Sequence, residues 1–205
     1  MKHRAVLLLL TAAFLGVTQI SPIYPREQTL QHTPTAIVLC TLAVDCRKQY
    51  LTWTAFCCTV AFFWLHIFGA RWIYSGVPYD DWCFRILGVT LRDTFGFQQN
   101  HYDRLVHFAF GWLFLIASFS MINKSLSGSN RQVVFFSFCV VTAFSGIYEV
   151  FEWLLTVVMA KHDADAYNGQ QGDLWDPQKD IGIAMVGSVV AIPFLMFVRS
   201  MNKTS

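Results

Sequence analysis

The chain has 205 residues and a mass of 23.4 kDa, with 55% hydrophobic residues, only 14% Asp, Glu, Lys and Arg, and a mean hydropathy of +0.43. A soluble chain carries about a quarter charged residues and has too little interior to hide this much apolar surface, so the excess belongs in lipid. The formal charge of +2 singles out no polyanionic partner, and the composition excludes a disordered chain, a nucleic-acid-binding domain and an ordinary cytosolic enzyme.

In chain order, Lys2, His3 and Arg4 precede an apolar run whose end lacks a small-x-small cleavage pattern, which predicts an uncleaved first membrane helix rather than a removed signal peptide. Stretches able to cross about 30 Å of hydrocarbon fall near 5–24, 33–46, 52–70, 104–122, 132–158 and 180–198. The second is half the usual length in its apolar part, Pro34 to Val44. The expectation is an all-α polytopic bundle of six transmembrane helices forming one integral membrane domain over 1–205. The segment 78–97 is too charged to cross; Cys83, Ile86, Leu87, Leu91 and Phe95 recur near helical spacing, and Trp82 suits an interfacial anchor. It predicts a short helix on the outer membrane surface. The six cysteines form no CxxC pair and sit mostly in apolar runs, as small hydrophobes do.

Charge position orients this reading. The inner segments would hold Lys2, Arg4, Arg47, Lys48, Lys124, Arg131, Arg199 and Lys203 against the single acid Asp45, while ten acids fall outside. A basic bias of this kind in short loops places both termini in the cytoplasm.

Polar residues concentrate toward the outer level. Asp103 and His107 stand four apart on one helix face, and Glu149 and Glu152 three apart on another. At about 1.5 Å per residue, Glu149 lies about 25 Å from the cytoplasmic end of its helix and His107 about 5 Å below the outer end of an antiparallel one, which brings the two to similar depth. Beyond them, Gly169 and Gly172 suit a tight turn, Asp176 caps a helix started by Pro177, and Asp180 follows on the same face. His66 and Tyr74 approach the same level.

These residues set out a candidate site. His107, Glu149 and Glu152 are candidate catalytic groups; Arg104, Tyr74 and Lys179 are candidate substrate-binding groups; His107, Glu149, Glu152, Asp176 and Asp180 are candidate ligands for a divalent metal ion, whose identity oxygen and imidazole donors together leave open. Arg104 suits a phosphate clamp or a lipid-headgroup contact equally. The chemistry fits an enzyme acting on a lipid-linked or cell-envelope substrate, with membrane lipid as the surrounding partner. Intramembrane acids also serve proton-coupled transporters, although no acidic or histidine series continues inward, and an internal salt-bridge set would serve a nonenzymatic assembly or scaffold protein.

The combination Asp103-Arg104-Leu105-Val106-His107-Phe108, Glu149-x-x-Glu152-Trp153 and Gln171-Gly172-Asp173-x-Trp175-Asp176-x-Gln178-Lys179-Asp180 resembles the YjdF-like bacterial inner-membrane family, as does the segment from Tyr74 to Pro78. That resemblance implies a multi-pass bacterial inner-membrane protein without an established activity. A weaker likeness links Asp103-Arg104-x-x-His107, Glu149-x-x-Glu152 and Asp176-x-x-x-Asp180 to VanZ-like membrane domains, from whose pattern Arg104, Glu152 and Asp180 depart. A glycopeptide-resistance role does not transfer on that basis.

Overall fold

The computed structural model describes residues 2–126, 128–158 and 171–201. Among them the chain forms eight helices: α1 (Lys2–Thr18), α2 (Pro25–Lys48), α3 (Trp53–Ala70), α4 (Tyr79–Leu87), α5 (Leu91–Phe95), α6 (Tyr102–Ser125), α7 (Asn130–Val158) and α8 (Asp176–Met201). The all-α class stands, but six transmembrane helices do not. Among the described residues, only α3, α6, α7 and α8 are long and apolar enough to cross a membrane.

The two missing spans have physical reasons. Helix α1 has 17 residues and begins on Lys2, His3 and Arg4; at about 1.5 Å per residue its whole length is about 26 Å, short of the hydrocarbon thickness even before the charged turn is set aside. Helix α2 is long enough at 24 residues, but it carries Arg26, Glu27, Gln28, Gln31 and His32 at one end and Asp45, Arg47 and Lys48 at the other. Its buried residues are mostly polar: Gln28, Gln31, His32, Thr35 and Asp45, with Leu42. Such a helix is stabilised by protein partners rather than by lipid.

Those partners are α1 and α3. Arg4 donates to Asp45 at 2.5 Å and to the Leu51 carbonyl at 2.8 Å, while Asp45 accepts the Leu51 amide at 2.8 Å. Gln28 donates to the Thr18 carbonyl at 2.8 Å, and Trp64 of α3 donates to Thr11 of α1 at 2.9 Å. Leu42, Phe56 and Val60 form the apolar centre of this three-helix unit. Helix α3 starts where Thr52 accepts the Ala55 amide at 3.1 Å, satisfying one of the free donors of its first turn.

Helix α6 is the hub and packs against α3, α7 and α8. Its crossing with α8 depends on two glycines: a Cβ on Gly111 would strike the Ala184 carbonyl, and one on Gly187 would strike the Phe108 carbonyl. Ser188 then donates across the contact to the Gly111 carbonyl at 3.0 Å. Small residues bring the two backbones together where lipid supplies no hydrophobic drive to do so.

The surface helix expected over 78–97 is two helices, α4 and α5, separated after Leu87 by Gly88 at φ +73°. Asp80 joins them by accepting the Leu91 amide at 2.9 Å. No residue of either helix is buried, and Phe84, Ile86, Leu87 and Phe95 are all exposed. Trp82 packs on Phe68 and Trp72, which ties α4 to the end of α3.

Candidate functional site

The start of α6 is fixed from several sides before any chemistry is considered. Tyr102 is buried and donates to the Leu65 carbonyl at 2.8 Å, and with Val77 and Val106 it forms an apolar knot under the loop that follows α3. Asn100 donates to the Val77 carbonyl at 2.8 Å and accepts the Tyr102 amide at 3.0 Å. The loop before α8 is tied to the same point: Gln171 accepts the Asn100 amide at 2.9 Å and donates to the Asn100 carbonyl at 3.0 Å. Gln171 and Gly172 both have positive φ, +51° and +85°, so the chain turns sharply there toward Asp173 and α8; glycine meets this conformation without strain. The expected turn at Gly172 is present, whereas its companion Gly169 lies outside the described residues.

This frame brings α6, α7 and α8 together around Arg104 and His107. Arg104 is ion-paired with Asp176 and with Asp180, and more loosely with Asp173 at 3.4 Å. The guanidinium fork therefore joins successive acids at the start of α8, where the positive end of the helix dipole also favours them. Its pairing is with these aspartates rather than with Glu149 or Glu152. Lys179 extends the network outward by donating to Asp173 at 2.5 Å. That bond, followed by the Trp175 amide, holds the Asp173 carboxyl below its usual range. Burial, and then Arg104 and Lys179, push the nearby His101 imidazole down, so it stays neutral near pH 7.

One turn further along α6, His107 Nε2 faces three carboxylate oxygens at similar distances: Asp103 at 3.7 Å, Glu149 at 3.8 Å and Asp180 at 3.9 Å. Glu149 is 5% exposed and Asp180 1%. Donor atoms of Asp103, His107 and Asp180 all lie within 4.8 Å of one another, so this cluster could coordinate a metal ion. Asp103 was legible only as a neighbour of His107 on the same face; its i, i+4 spacing was the signal that it belongs to the ligand group. Asp176, another of the expected ligands, is paired with Arg104, as Asp180 is.

The two glutamates occupy different surroundings, as one turn of helix separates them. Glu149 faces His107, while Glu152, hydrogen-bonded by Tyr148, lines a cavity of about 480 Å³. Phe62, Phe63, Val106, Phe110, Phe144 and Phe151 supply apolar wall, and the polar groups on it include Asp103, His107, Glu152, Ser145, His66 and Tyr74. Tyr74 and His66 are hydrogen-bonded to each other, and His66 Nε2 also meets the Gln31 carbonyl at 3.0 Å. Tyr74 thus sits on the cavity, Lys179 on the outer flank of the Arg104 network, and Asp176 and Asp180 behind it. Among the described residues no Cα of α7 comes within 8 Å of α2 or α3, so the cavity occupies a gap in the side of the bundle. Phe144, Ile147 and Phe151 of α7 are exposed along it. Sequence reasoning gave no sign of this gap, because hydropathy records which residues are apolar and not which helices fail to meet.

No solved structure matches the chain. It is 29% identical over 167 residues to "Inner membrane protein YjdF" of Escherichia coli (strain K12), an alignment covering 81% of this chain and 76% of that protein. The family model "Predicted membrane protein (DUF2238)" matches residues 3–201, nearly the whole length. With four helices able to span and that match, the chain is a multi-pass membrane protein belonging to the DUF2238 family.

Proposed function

We propose that the protein is a bacterial inner-membrane enzyme that acts on a lipid-linked or cell-envelope amphiphile, with its reaction centre at the outer level of α6, α7 and α8. The observation that carries this reading is the shape of the cavity: an apolar chamber of about 480 Å³ that meets Asp103, His107 and Glu152. An apolar pocket with a few convergent polar groups suits a ligand with a chain and a reactive head. The gap between α7 and α2–α3 gives the chain a route from the lipid.

In this reading the head group stops beside His107 and Glu152. His107 takes a proton from an attacking water or hydroxyl, a new bond forms at the carbonyl carbon or phosphorus of the head group, and Glu152 returns a proton to the departing oxygen. Arg104 holds Asp176 and Asp180 in place rather than meeting the substrate, and Tyr74 orients His66 at the far wall. Lys179 braces Asp173 at the rim, within reach of a substrate's outer end.

Orientation follows from charge. Lys124 donates to the Tyr50 carbonyl at 3.5 Å, which puts the end of α6 level with the loop before α3. Arg47, Lys48, Lys124 and Arg131 therefore gather on one side, the cytoplasmic one by the positive-inside rule, together with both termini. The Arg104 and His107 cluster, at the opposite end of α6, faces outward.

The test compares lipid and envelope extracts from cells producing the wild-type protein with those producing Glu152→Gln at equal membrane abundance. A species consumed or formed with the wild type and unchanged with the variant is expected. Extracts that are the same for wild type, variant and cells lacking the protein contradict an enzymatic role.

A further inference from the structure

We infer that Asp103, His107, Glu149 and Asp180 bind a single divalent transition-metal ion. The inference rests on the proposed enzymatic reading only for what the ion would do; whether it binds is a separate matter. Three carboxylate oxygens surround one imidazole nitrogen at 3.7, 3.8 and 3.9 Å, too far for hydrogen bonds and nearly equal. Donors about 2.0–2.1 Å from a tetrahedral metal stand about 3.3 Å from each other, so the imidazole–carboxylate pairs close on an ion by about half an ångström, while the carboxylates must draw together further, Glu149 most of all because it lies outside the set within 4.8 Å. Three of the four donors already lie mutually within 4.8 Å.

A group of acids alone would be weak ground, since exposed carboxylates cluster often without an ion. Here Glu149 is 5% exposed, and its Oε1, which faces His107, accepts no hydrogen bond. A buried carboxylate oxygen turned toward other acids is costly unless a proton or a cation joins it. Arg104 does not fill that need: its two terminal nitrogens are engaged with the α8 aspartates. Arg104 holds Asp180 through Oδ1, the same oxygen that faces His107, so a bound ion shares that oxygen with the guanidinium or takes the carboxylate's other oxygen.

The donor set narrows the ion. One imidazole among carboxylates favours Mn, Fe or Zn over Ca and Mg, and the lack of a thiolate among these four disfavours copper(I). Such an ion would occupy His107 Nε2, so with it bound Glu152 rather than His107 would take, and then return, the proton of the proposed reaction; by expanding to a fifth ligand it would polarise a head-group oxygen at the edge of the cavity that Asp103 and His107 also line.

Protein purified in detergent without chelator should carry close to one Mn, Fe or Zn per chain by elemental mass spectrometry. After chelation, added Mn²⁺ should lose its free-ion paramagnetic resonance signal and raise the melting temperature. His107→Ala and Asp180→Asn should weaken Mn²⁺ binding about ten-fold or more. Asp103 is the most exposed of the four donors, its side chain 19% exposed, so Asp103→Asn supplies a folded comparison if the buried variants do not accumulate. Folded, monodisperse wild-type protein that carries no stoichiometric ion and responds to neither Mn²⁺ nor Zn²⁺ overturns the inference. Protein that binds Mn²⁺ but leaves envelope extracts unchanged keeps the ion and removes the enzymatic reading, whereas changed extracts without ion binding remove the ion alone.

Discussion

Two regions of this molecule bury charged groups, and they do so in opposite ways. At the α1–α2–α3 end, Arg4 and Asp45 satisfy each other and share the Leu51 backbone, donor for acceptor. At the α6–α7–α8 end, His107 is ringed by carboxylates at distances no hydrogen bond reaches, and Glu149 Oε1 is left without a donor. The first arrangement is complete as folded and holds helices together. The second leaves donors unmatched as folded, and the ion inferred above would supply the partner they lack.

The comparison can be broken by mutation, and the largest effect belongs to the satisfied pair. Arg4→Met leaves Asp45 buried without its cation and should destabilise the protein by about 3–5 kcal/mol, while Arg4→Met combined with Asp45→Leu should recover most of that. Thermal melting in detergent reads both. A double variant no more stable than the single would show that the pair is not the unit assumed here.

Acid should probe the same end through His32. Burial pushes its pKa from about 6.5 down to about 4, and neither ring nitrogen has a hydrogen-bond partner. The unfolded chain therefore takes up a proton that the folded one refuses. Stability is fully present above about pH 6.5, falls as pH drops toward 4, and levels off below, a loss on the order of 3 kcal/mol at most. His32→Gln should flatten that part of the melting-versus-pH curve, and an unchanged slope would count against a neutral buried His32.

Next in size is the crossing that carries the site. Gly111→Ala places a methyl group against the Ala184 carbonyl, so α6 and α8 must separate at a cost of about 1–3 kcal/mol. Since that crossing sets His107 against Asp180, Mn²⁺ affinity should fall with stability. The smallest effect has the opposite sign. In chelated protein, Glu149→Gln puts an amide donor among the surrounding carboxylates in place of an oxygen without a hydrogen-bond partner and should raise stability by about 1 kcal/mol, where Asp45→Asn lowers it. If both substitutions destabilise alike, the two regions are of one kind and the contrast fails.

How much of this was legible in the sequence differs between the same two regions. Asp103 and His107 at four-residue spacing, Glu149 at matching depth and Asp180 after the Asp176 cap pointed to one cluster, because helical periodicity and antiparallel depth are local quantities. The α1–α2 end was misread as two membrane spans. An apolar stretch from Pro34 to Val44 looked like a short crossing, yet Gln28, Gln31, His32 and Asp45 are buried against α1 and α3, a tertiary fact that hydropathy does not carry. Arg104 resisted assignment for the same reason: a guanidinium suits phosphate and carboxylate equally, and only the approach of α8 shows the aspartates taking it. Gly111 and Gly187 gave no signal, since their meaning lies in which backbone passes beside them.

In the proposed function, the gap beside α7 admits an amphiphile to the His107 and Glu152 end of the cavity. To test this, Glu152→Gln, which keeps the cavity's size while removing the acid group, is purified and the lipids that remain bound are analysed. A single chemical class enriched over the bulk membrane composition is expected, as is its loss when Ser145→Phe fills the chamber at a buried wall position. Bound lipid that mirrors the bulk membrane, unchanged by Ser145→Phe in a folded protein, would contradict it.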